Sequence, residues 1–195
     1  MNTVNIKEQK TLLRNKYREK RKQLSDGEKK ARDEAICKKF ISLNSYRYCD
    51  TILLYSPLKY EIDTTLIAED ALSKGKKVCY PRCIEDNKMV YHCISSKADF
   101  ILGKYNINEP LSHLPVYSGE NCHPICVLPA IIYDKRGYRL GYGKGYYDRF
   151  LSNFKGIKAG LIYSDFVVEN IPNGKFDLRS DIIVTEKGVI SFAKN

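Results

Sequence analysis

The sequence lacks tryptophan, long apolar segments, internal repeats and low-complexity tracts. Without a run of roughly 18 apolar residues, no membrane span is predicted. The composition of the 195 residues, with 43% hydrophobic and 29% charged, excludes wholesale disorder and is typical of a globular protein. We therefore expect a single domain over residues 1–195.

A hydrophobic leader is also missing from the start of the sequence, which bears on the seven cysteines. An oxidising compartment is not expected without such a leader, so we predict reduced thiols in a cytoplasmic protein. Cys122, His123 and Cys126 have a spacing that suits a metal site, but no second ligand pair lies at zinc-site distance. We therefore interpret all seven cysteines as structural.

Positive charge is concentrated near the N-terminus. The formal net charge is +10, and residues 1–48 carry 14 Lys and Arg against 6 Asp and Glu. The rest of the chain is close to neutral. Such a segment suits a nucleic acid, an anionic membrane or a polyanionic small molecule, and it equally suits a solvent-exposed helix face.

Two helices are predicted in this basic segment. Residues 5–24 have a helical pattern, with Lys7, Lys10, Arg14, Arg18 and Arg21 sharing one face and Ile6, Leu12, Leu13, Tyr17 and Leu24 as apolar positions. The spacing of Ser25 and Glu28 is that of a capping box, which predicts the start of a second helix.

From residue 51 the pattern changes to short apolar runs separated by helices. Residues 51–55 and 78–80 read as buried strands, with Pro81 stopping the second, and residues 63–75 read as a helix between them. Further strands are predicted at 89–94, 125–128, 159–163, 182–185 and 189–192, and a long loop at 103–124. The fold class is α/β, with a mostly parallel central sheet flanked by helices and the basic N-terminal helix packed on the body.

The segment richest in chemistry is the glycine-tyrosine loop, residues 139–147. Three alternate glycines (Gly141, Gly143 and Gly145) precede a predicted helix over 146–153, and Arg139 and Lys144 add positive charge. Glycines bring backbone N–H groups close to a ligand, and a helix N-terminus favours anions, so the loop resembles a phosphate cradle. It fits neither the Walker pattern nor the dinucleotide fingerprint. Asp148 could bind Mg²⁺ beside a phosphate, or it could only stabilise the first turn of the helix through the helix dipole.

The run from Leu128 to Leu151 closely resembles the signature of the 5-formyltetrahydrofolate cyclo-ligases, also called methenyltetrahydrofolate synthetases. Lys10 and Arg14 stand at that family's Lys-xxx-Arg spacing, and residues 61–64 look like its substrate loop. Further matches are residues 80–82, Met89, Glu109-Pro110, Asp177, Asp181 and residues 184–185. Asn106 replaces a common glycine, and asparagine also tolerates positive φ.

The resemblance implies an ATP-hydrolysing ligase that converts 5-formyltetrahydrofolate to 5,10-methenyltetrahydrofolate, with ATP as co-substrate and Mg²⁺. It implies a role in folate and one-carbon metabolism. We expect a cytoplasmic monomer that acts on these small molecules and binds neither nucleic acid nor membrane. The implied ATP-binding residues are Lys10, Arg14, Arg139, Leu140, Gly141, Tyr142, Gly143, Lys144, Gly145, Tyr146 and Tyr147.

The same resemblance assigns the remaining site residues. Asp148 and Asp177 are the implied Mg²⁺ ligands, and Arg139, Lys144 and Tyr146 the implied catalytic residues. The implied folate-site residues are Ser56, Glu61, Tyr142, Gly143, Lys144, Gly145 and Tyr146. Arg82 and Arg149 are interpreted as members of structural ion pairs. The other basic residues of the first helix either form a solvent-exposed face or attract the glutamate tail of folate.

Two alternatives remain open at this stage. The basic N-terminus and the many tyrosines also fit a nucleic-acid binder, although no recognition-module motif is present. The second alternative is a family relative that keeps the fold but acts on another substrate, because fold alone does not define function.

Overall fold

A computed structural model describes residues 5–103 and 106–192. The helices are α1 (Ile6–Lys22), α2 (Asp26–Ile41), α3 (Asn44–Tyr48), α4 (Thr65–Ser73) and α5 (Tyr146–Leu151). The first strands are β1 (Thr51–Leu53), β2 (Lys77–Cys83), β3 (Met89–Ile94), β4 (Phe100–Leu102), β5 (Asn108–Pro110) and β6 (Pro124–Leu128). The remaining strands are β7 (Ile132–Asp134), β8 (Arg139–Leu140), β9 (Ile157–Leu161), β10 (Val167–Val168), β11 (Ile182–Val184) and β12 (Val189–Ser191).

Seven strands form the central sheet in the order β12-β11-β9-β6-β1-β2-β3. The five inner strands are parallel, and β12 and β3 are antiparallel edge strands. Strands β1 and β6 are buried along their whole length, which explains their nearly continuous apolar sequences. The predicted α/β class and mostly parallel sheet are confirmed. No helix within the described residues is both long and apolar enough to cross a bilayer.

Local sequence signals account for where the helices begin and end. The Ser25 hydroxyl accepts the Glu28 N–H at 3.2 Å and caps α2 as predicted. Asp63, rather than Thr64, makes the side-chain contact at the start of α4, where its Oδ1 accepts the Thr65 N–H at 2.9 Å. Gly75 follows α4 with a positive φ of 71°, which is the conformation that ends many helices.

Several predicted boundaries are wrong for tertiary reasons. Strand β2 continues through Pro81 because β1 pairs only with residues 77–79, so the missing N–H of Pro81 interrupts no bond to β1. The predicted loop 103–124, of which 104–105 lie outside the described residues, contains β5, which pairs with β4. Helix α5 ends at Leu151 rather than at 153. Asn106 has the expected positive φ, at 55°.

The cysteine prediction is wrong for one pair. Cys79 and Cys93 are direct partners in the β2–β3 register, and the structure joins them in a disulfide. This register is set by tertiary pairing and is not visible in the cysteine spacing. Burial raises the pKa of Cys37 and of Cys126 to about 12, so these thiols remain protonated. No cluster of three metal-ligating His, Cys, Asp or Glu side chains occurs within residues 5–103 and 106–192.

The basic face of α1 turns toward the body of the protein. Leu13 and Tyr17 pack against the core, whereas Ile6 and Leu12 are exposed. Arg21 is buried, and its guanidinium donates to the carbonyls of Ala130 at 2.7 Å and Ile131 at 3.1 Å. The expectation of a solvent-exposed face is therefore wrong for Arg21, because these carbonyls need a donor that the sequence pattern does not reveal.

Candidate active site

A cavity of about 590 Å³ lies beyond the carboxyl ends of the inner strands of the central sheet. The chain leaves β1 toward β2 and β3 on one side, whereas β6, β9 and β11 extend the sheet on the other. In open α/β sheets, ligands bind beyond the carboxyl ends of the strands at such a reversal of strand order. Tyr55 and Ser56 follow β1, Pro129 follows β6, and all three line the cavity. The fold therefore places the cavity where a ligand site is expected.

The glycine-tyrosine loop forms one wall of this cavity. Gly143 and Gly145 have positive φ values of 93° and 72°, a conformation that residues with a side chain rarely adopt. A Cβ added at Gly143 would lie 3.3 Å from Cζ of Arg14, and one at Gly145 would lie 2.7 Å from a guanidinium nitrogen of Arg149. Both the backbone conformation and the neighbouring arginines therefore require glycine.

Arg149 holds this loop from behind. Its guanidinium donates to the carbonyl of Lys144 at 2.6 Å and to the carbonyl of Asn87 at 2.6 Å and 3.0 Å. Arg149 thus ties the loop to the turn before β3 through two carbonyls, and it has no ion-pair partner within residues 5–103 and 106–192. Helix α5 has only six residues, so the charge that the loop offers comes mainly from side chains.

Helix α1 supplies basic side chains opposite the loop. Nζ of Lys10 lies 2.6 Å from Oδ2 of Asp177, and Nε of Arg14 donates to the Gly141 carbonyl at 2.9 Å. The Arg18 guanidinium lies over the Tyr142 ring, 5.1 Å from its centroid. Burial and the adjacent charge of Arg18 lower the pKa of Arg14. These contacts bring residues of the N-terminal helix to the glycine-tyrosine loop.

Arg139 and Asp148 form a second ion pair at the same wall. Arg139 is 8% exposed, and its guanidinium donates to Oδ1 of Asp148 at 2.6 Å. Its Nε is buried and has no hydrogen-bond partner among the described residues. A buried donor of this kind is costly when it is left unsatisfied.

Asp148 and Asp177 are the two carboxylates that the sequence predicts as Mg²⁺ ligands. Both line the cavity, and each binds a basic side chain through one oxygen. Mg²⁺ in nucleotide sites takes one or two carboxylates, and phosphate oxygens and water complete its shell. The two carboxylates fit this pattern, whereas an all-protein metal cage does not occur within the described residues.

Glu61 is the buried carboxylate at the other side of the loop. It is 4% exposed, and its Oε2 accepts the Leu58 N–H at 2.9 Å. The Tyr142 hydroxyl interacts with the same carboxylate. Burial raises the pKa of Glu61 above its ordinary value of 4.5, while the Leu58 N–H and the Tyr142 hydroxyl oppose that rise. A carboxylate has about four acceptor positions, so Glu61 can accept further N–H groups from a ligand beside these contacts.

The other predicted site residues also lie at this cavity. The Ser56 hydroxyl donates to the Asn108 carbonyl at 2.5 Å. Leu140 contributes a side chain to the core, and Tyr147 packs against the same core. Every residue that the sequence assigned to ATP, folate, metal or catalysis lines this one cavity, and the assigned roles stay predictions.

Sequence reasoning missed several cavity residues. Glu109 is the most notable, because it is 5% exposed and its Oε1 accepts the Cys83 N–H at 3.1 Å. Arg82 lies near it, with 3.8 Å between the guanidinium and Oε2, and donates to the Pro110 carbonyl at 2.8 Å. The motif Glu109-Pro110 was visible in the sequence, but its place beside β2 depends on the β4–β5 pairing. Other missed lining residues are Arg18, Tyr55, Leu58, Ile107 and Pro129.

The cavity therefore has two regions. One is a wall of basic side chains, glycines and two carboxylates, and the other is built around Glu61 and Glu109. Together with the strand order, this is the arrangement typical of an α/β enzyme that acts on small molecules. The chain belongs to the 5-formyltetrahydrofolate cyclo-ligase family, whose sequence profile matches residues 6–186. The predicted family is confirmed.

Similar proteins agree with this assignment. The chain is 29% identical to the 5-formyltetrahydrofolate cyclo-ligase of Mycoplasma pneumoniae, covering 91% of this chain and 99% of that protein. It is 27% identical to a probable 5-formyltetrahydrofolate cyclo-ligase of Schizosaccharomyces pombe, covering 80% and 84%. A solved 5,10-methenyltetrahydrofolate synthetase of Aquifex aeolicus superposes with a TM-score of 0.85 at 34% identity, covering 95% and 94%.

Proposed function

We propose that this enzyme converts 5-formyltetrahydrofolate to 5,10-methenyltetrahydrofolate and hydrolyses ATP to ADP and phosphate. The observation that carries the proposal is a single cavity bordered by the glycine-tyrosine loop, by Lys10 and Arg14 of α1, and by the buried carboxylate of Glu61. Membership of the cyclo-ligase family supports the folate reaction. The nucleotide, the metal and the residue roles are our inference from the family resemblance, and the chemistry of the cavity supports it.

The reaction needs an activated formyl group. A formamide carbon is a poor electrophile, and its oxygen is a poor leaving group. Transfer of the γ-phosphoryl group to the formyl oxygen, with ADP leaving, gives an iminium phosphate. N10 of the folate then attacks the formyl carbon and loses its proton, and the carbon–oxygen bond breaks to release phosphate and close the ring. The protein must hold both ligands in line and stabilise phosphate charge.

The nucleotide is assigned to the wall formed by α1 and the glycine-tyrosine loop. Lys10 and Arg14 supply cations, and residues 139–147 supply close backbone and the Arg139 and Lys144 side chains. In the structure, Lys10 and Arg139 are engaged with Asp177 and Asp148. Triphosphate oxygens offer these cations alternative acceptors, and bound Mg²⁺ would neutralise phosphate charge beside the same two carboxylates.

Folate is assigned to the region of Ser56 and Glu61. The 2-amino group and N3–H of the pterin present two parallel donors that match the two oxygens of a carboxylate. The Tyr142 hydroxyl interacts with the Glu61 carboxylate and borders the same region. Tyr146 offers a ring for stacking, and the backbone of residues 142–146 lies between the two ligands.

Three residues are assigned to the chemical steps. Arg139 and Lys144 stabilise the charge on the transferring phosphoryl group, since both are cations on the loop that faces the cavity. Tyr146 orients the pterin so that N10 can reach the formyl carbon carried by N5. We also propose that the enzyme is a cytoplasmic monomer. Gel filtration of the purified protein tests its oligomeric state.

The deciding experiment follows the absorbance of methenyltetrahydrofolate after 5-formyltetrahydrofolate is added to the purified enzyme with Mg²⁺. We expect a rise that requires ATP and does not occur with a non-hydrolysable ATP analogue, with one ADP formed per methenyl group. A rise of equal rate without ATP would overturn the nucleotide role. No product under any condition, together with saturable and salt-sensitive RNA binding, would favour the nucleic-acid alternative.

A further inference from the structure

A second cavity, of about 740 Å³, adjoins the first. Met89 and Tyr146 line both cavities, so the two share a wall. Strand β3 contributes Met89 and Val90, and helix α5 contributes Tyr146, Arg149 and Phe150. A ligand that extends past Tyr146 from the first cavity therefore enters the second.

The two cavities differ in charge. The first is lined by four acidic residues, Glu61, Glu109, Asp148 and Asp177, and also by five basic ones, so its charge is mixed. The second is lined by Lys88, Arg149 and Lys155, and no acidic side chain is among its lining residues in the described part of the chain. Such a cavity favours carboxylates over neutral or cationic groups.

The second cavity is also partly preorganised. The Arg149 guanidinium is held by the Asn87 and Lys144 carbonyls, so its charge stays at the boundary between the cavities. Phe150 and Phe154 pack with ring centroids 5.7 Å apart and give the cavity an apolar wall. Lys88 and Lys155 are exposed at this wall, and Nζ of Lys88 lies 4.0 Å from Oδ2 of Asp86.

We propose that the second cavity binds the glutamyl end of the folate substrate, with Lys88 and Lys155 contacting its carboxylates. This inference rests on the proposed function. A folate whose pterin lies between Glu61 and Tyr146 must extend its benzoyl-glutamyl part out of the first cavity, and the shared wall at Met89 and Tyr146 gives it a path. The apolar wall suits the aromatic linker, and the cations suit the carboxylates that follow it.

The test compares three substrates that differ only in carboxylate number. These are 5-formyltetrahydropteroate, which lacks glutamate, and the mono- and triglutamyl forms of 5-formyltetrahydrofolate. We expect the preference for the triglutamyl form over the pteroate, measured as a ratio of kcat/KM values, to fall about three- to fivefold in Lys88→Ala and in Lys155→Ala at low salt. The pteroate itself should be used equally well by all variants.

Two controls separate this cavity from other basic surfaces. Lys30→Ala removes an exposed lysine of α2 that lines neither cavity and should leave the preference unchanged. Lys7→Ala tests whether the basic helix α1 attracts the tail instead. A preference that survives in the Lys88→Ala/Lys155→Ala double variant, or that is lost only in Lys7→Ala, overturns the inference.

Different experimental results would contradict the inference and the proposed function. If the wild-type enzyme turns over none of the three substrates, the proposed reaction is wrong, and equilibrium binding of triglutamyl folate and of pteroate then tests the cavity directly. Equal affinity of the wild type for these two ligands, or affinities that the double variant does not change, overturns the inference. Thermal unfolding at the wild-type temperature confirms that the variants are folded.

Discussion

Replacing Gly143 by alanine tests whether the conformation of the glycine-tyrosine loop is part of the nucleotide site. Gly143 has a φ of 93°, and an added Cβ would meet Cζ of Arg14 at 3.3 Å. The substitution therefore strains the backbone and displaces the guanidinium, whose Nε donates to the Gly141 carbonyl at 2.9 Å.

The left-handed backbone costs a residue with a side chain about 1–2 kcal/mol. If the loop keeps its shape, this cost lowers the free energy of unfolding, and the melting temperature falls by about 2–8 °C. If the loop relaxes instead, the cost opposes nucleotide binding and weakens the affinity about 5- to 30-fold. The two effects share one strain energy, so together they should account for about 1–2 kcal/mol.

Thermal unfolding and calorimetric titration with a non-hydrolysable ATP analogue measure both effects on the same protein. Gly141→Ala is the matched control, because its Cβ would meet only an Arg139 nitrogen at 3.5 Å and its φ lies outside the left-handed region. We expect a change of about 0.5 kcal/mol or less for this control. A Gly143→Ala enzyme with unchanged stability and affinity, or a Gly141→Ala enzyme that is equally impaired, refutes the reasoning.

Four further outcomes are expected. Lys10→Ala should weaken ATP binding about tenfold or more in calorimetric titrations and leave folate affinity nearly unchanged, because a charged contact is lost only at the nucleotide wall. Arg21→Met should lower the free energy of unfolding in urea by about 3 kcal/mol, because the carbonyls of Tyr60, Ala130 and Ile131 lose their donor, whereas Lys22→Met at an exposed position should change it little. Burial raises the pKa of Glu61 above 4.5, so its ionisation opposes folding; Glu61→Gln should therefore gain stability relative to the wild type as pH rises through the raised pKa. Asp148→Asn should raise the Mg²⁺ concentration that half-maximal turnover requires.

Each of these outcomes has a contradicting result. Equal losses of ATP and folate affinity in Lys10→Ala would remove its specific role, and an Arg21→Met enzyme as stable as Lys22→Met would show that the buried carbonyls are otherwise satisfied. A stability difference between Glu61→Gln and the wild type that stays constant with pH would place the Glu61 carboxylate in a water-like environment. Unchanged Mg²⁺ dependence in Asp148→Asn would exclude that carboxylate from the metal site.

The sequence predicted the parts of the fold that depend on local chemistry. Continuous apolar runs at β1 and β6 indicate strands that are buried on both faces, and Ser25 and Gly75 mark helix ends through their own capping geometry. The glycine-tyrosine loop and the Lys10 and Arg14 spacing were sufficient to predict the family. These signals are short-range, so they survive without knowledge of tertiary contacts.

Features set by contacts between distant residues could not be predicted. The Cys79–Cys93 disulfide depends on the β2–β3 register, and Arg21 looks like any other residue of a basic helix until the Ala130 and Ile131 carbonyls are brought to it. The two carboxylates assigned to Mg²⁺ were predicted, but their pairing with Lys10 and Arg139 was not, because each pair joins residues that only the folded loop and helix bring together.

The docking of α1 has a consequence for the order in which the protein can mature during synthesis. Arg21 bonds a carbonyl 109 residues later, and Lys10 bonds a carboxylate 167 residues later. Synthesis runs from the N-terminus, so the helix that completes the cavity emerges first and must wait for partners from the last third of the chain. A ribosome-bound chain that ends before Ala130 should therefore display an undocked basic helix, and one that ends before Asp177 should still lack the Lys10–Asp177 ion pair.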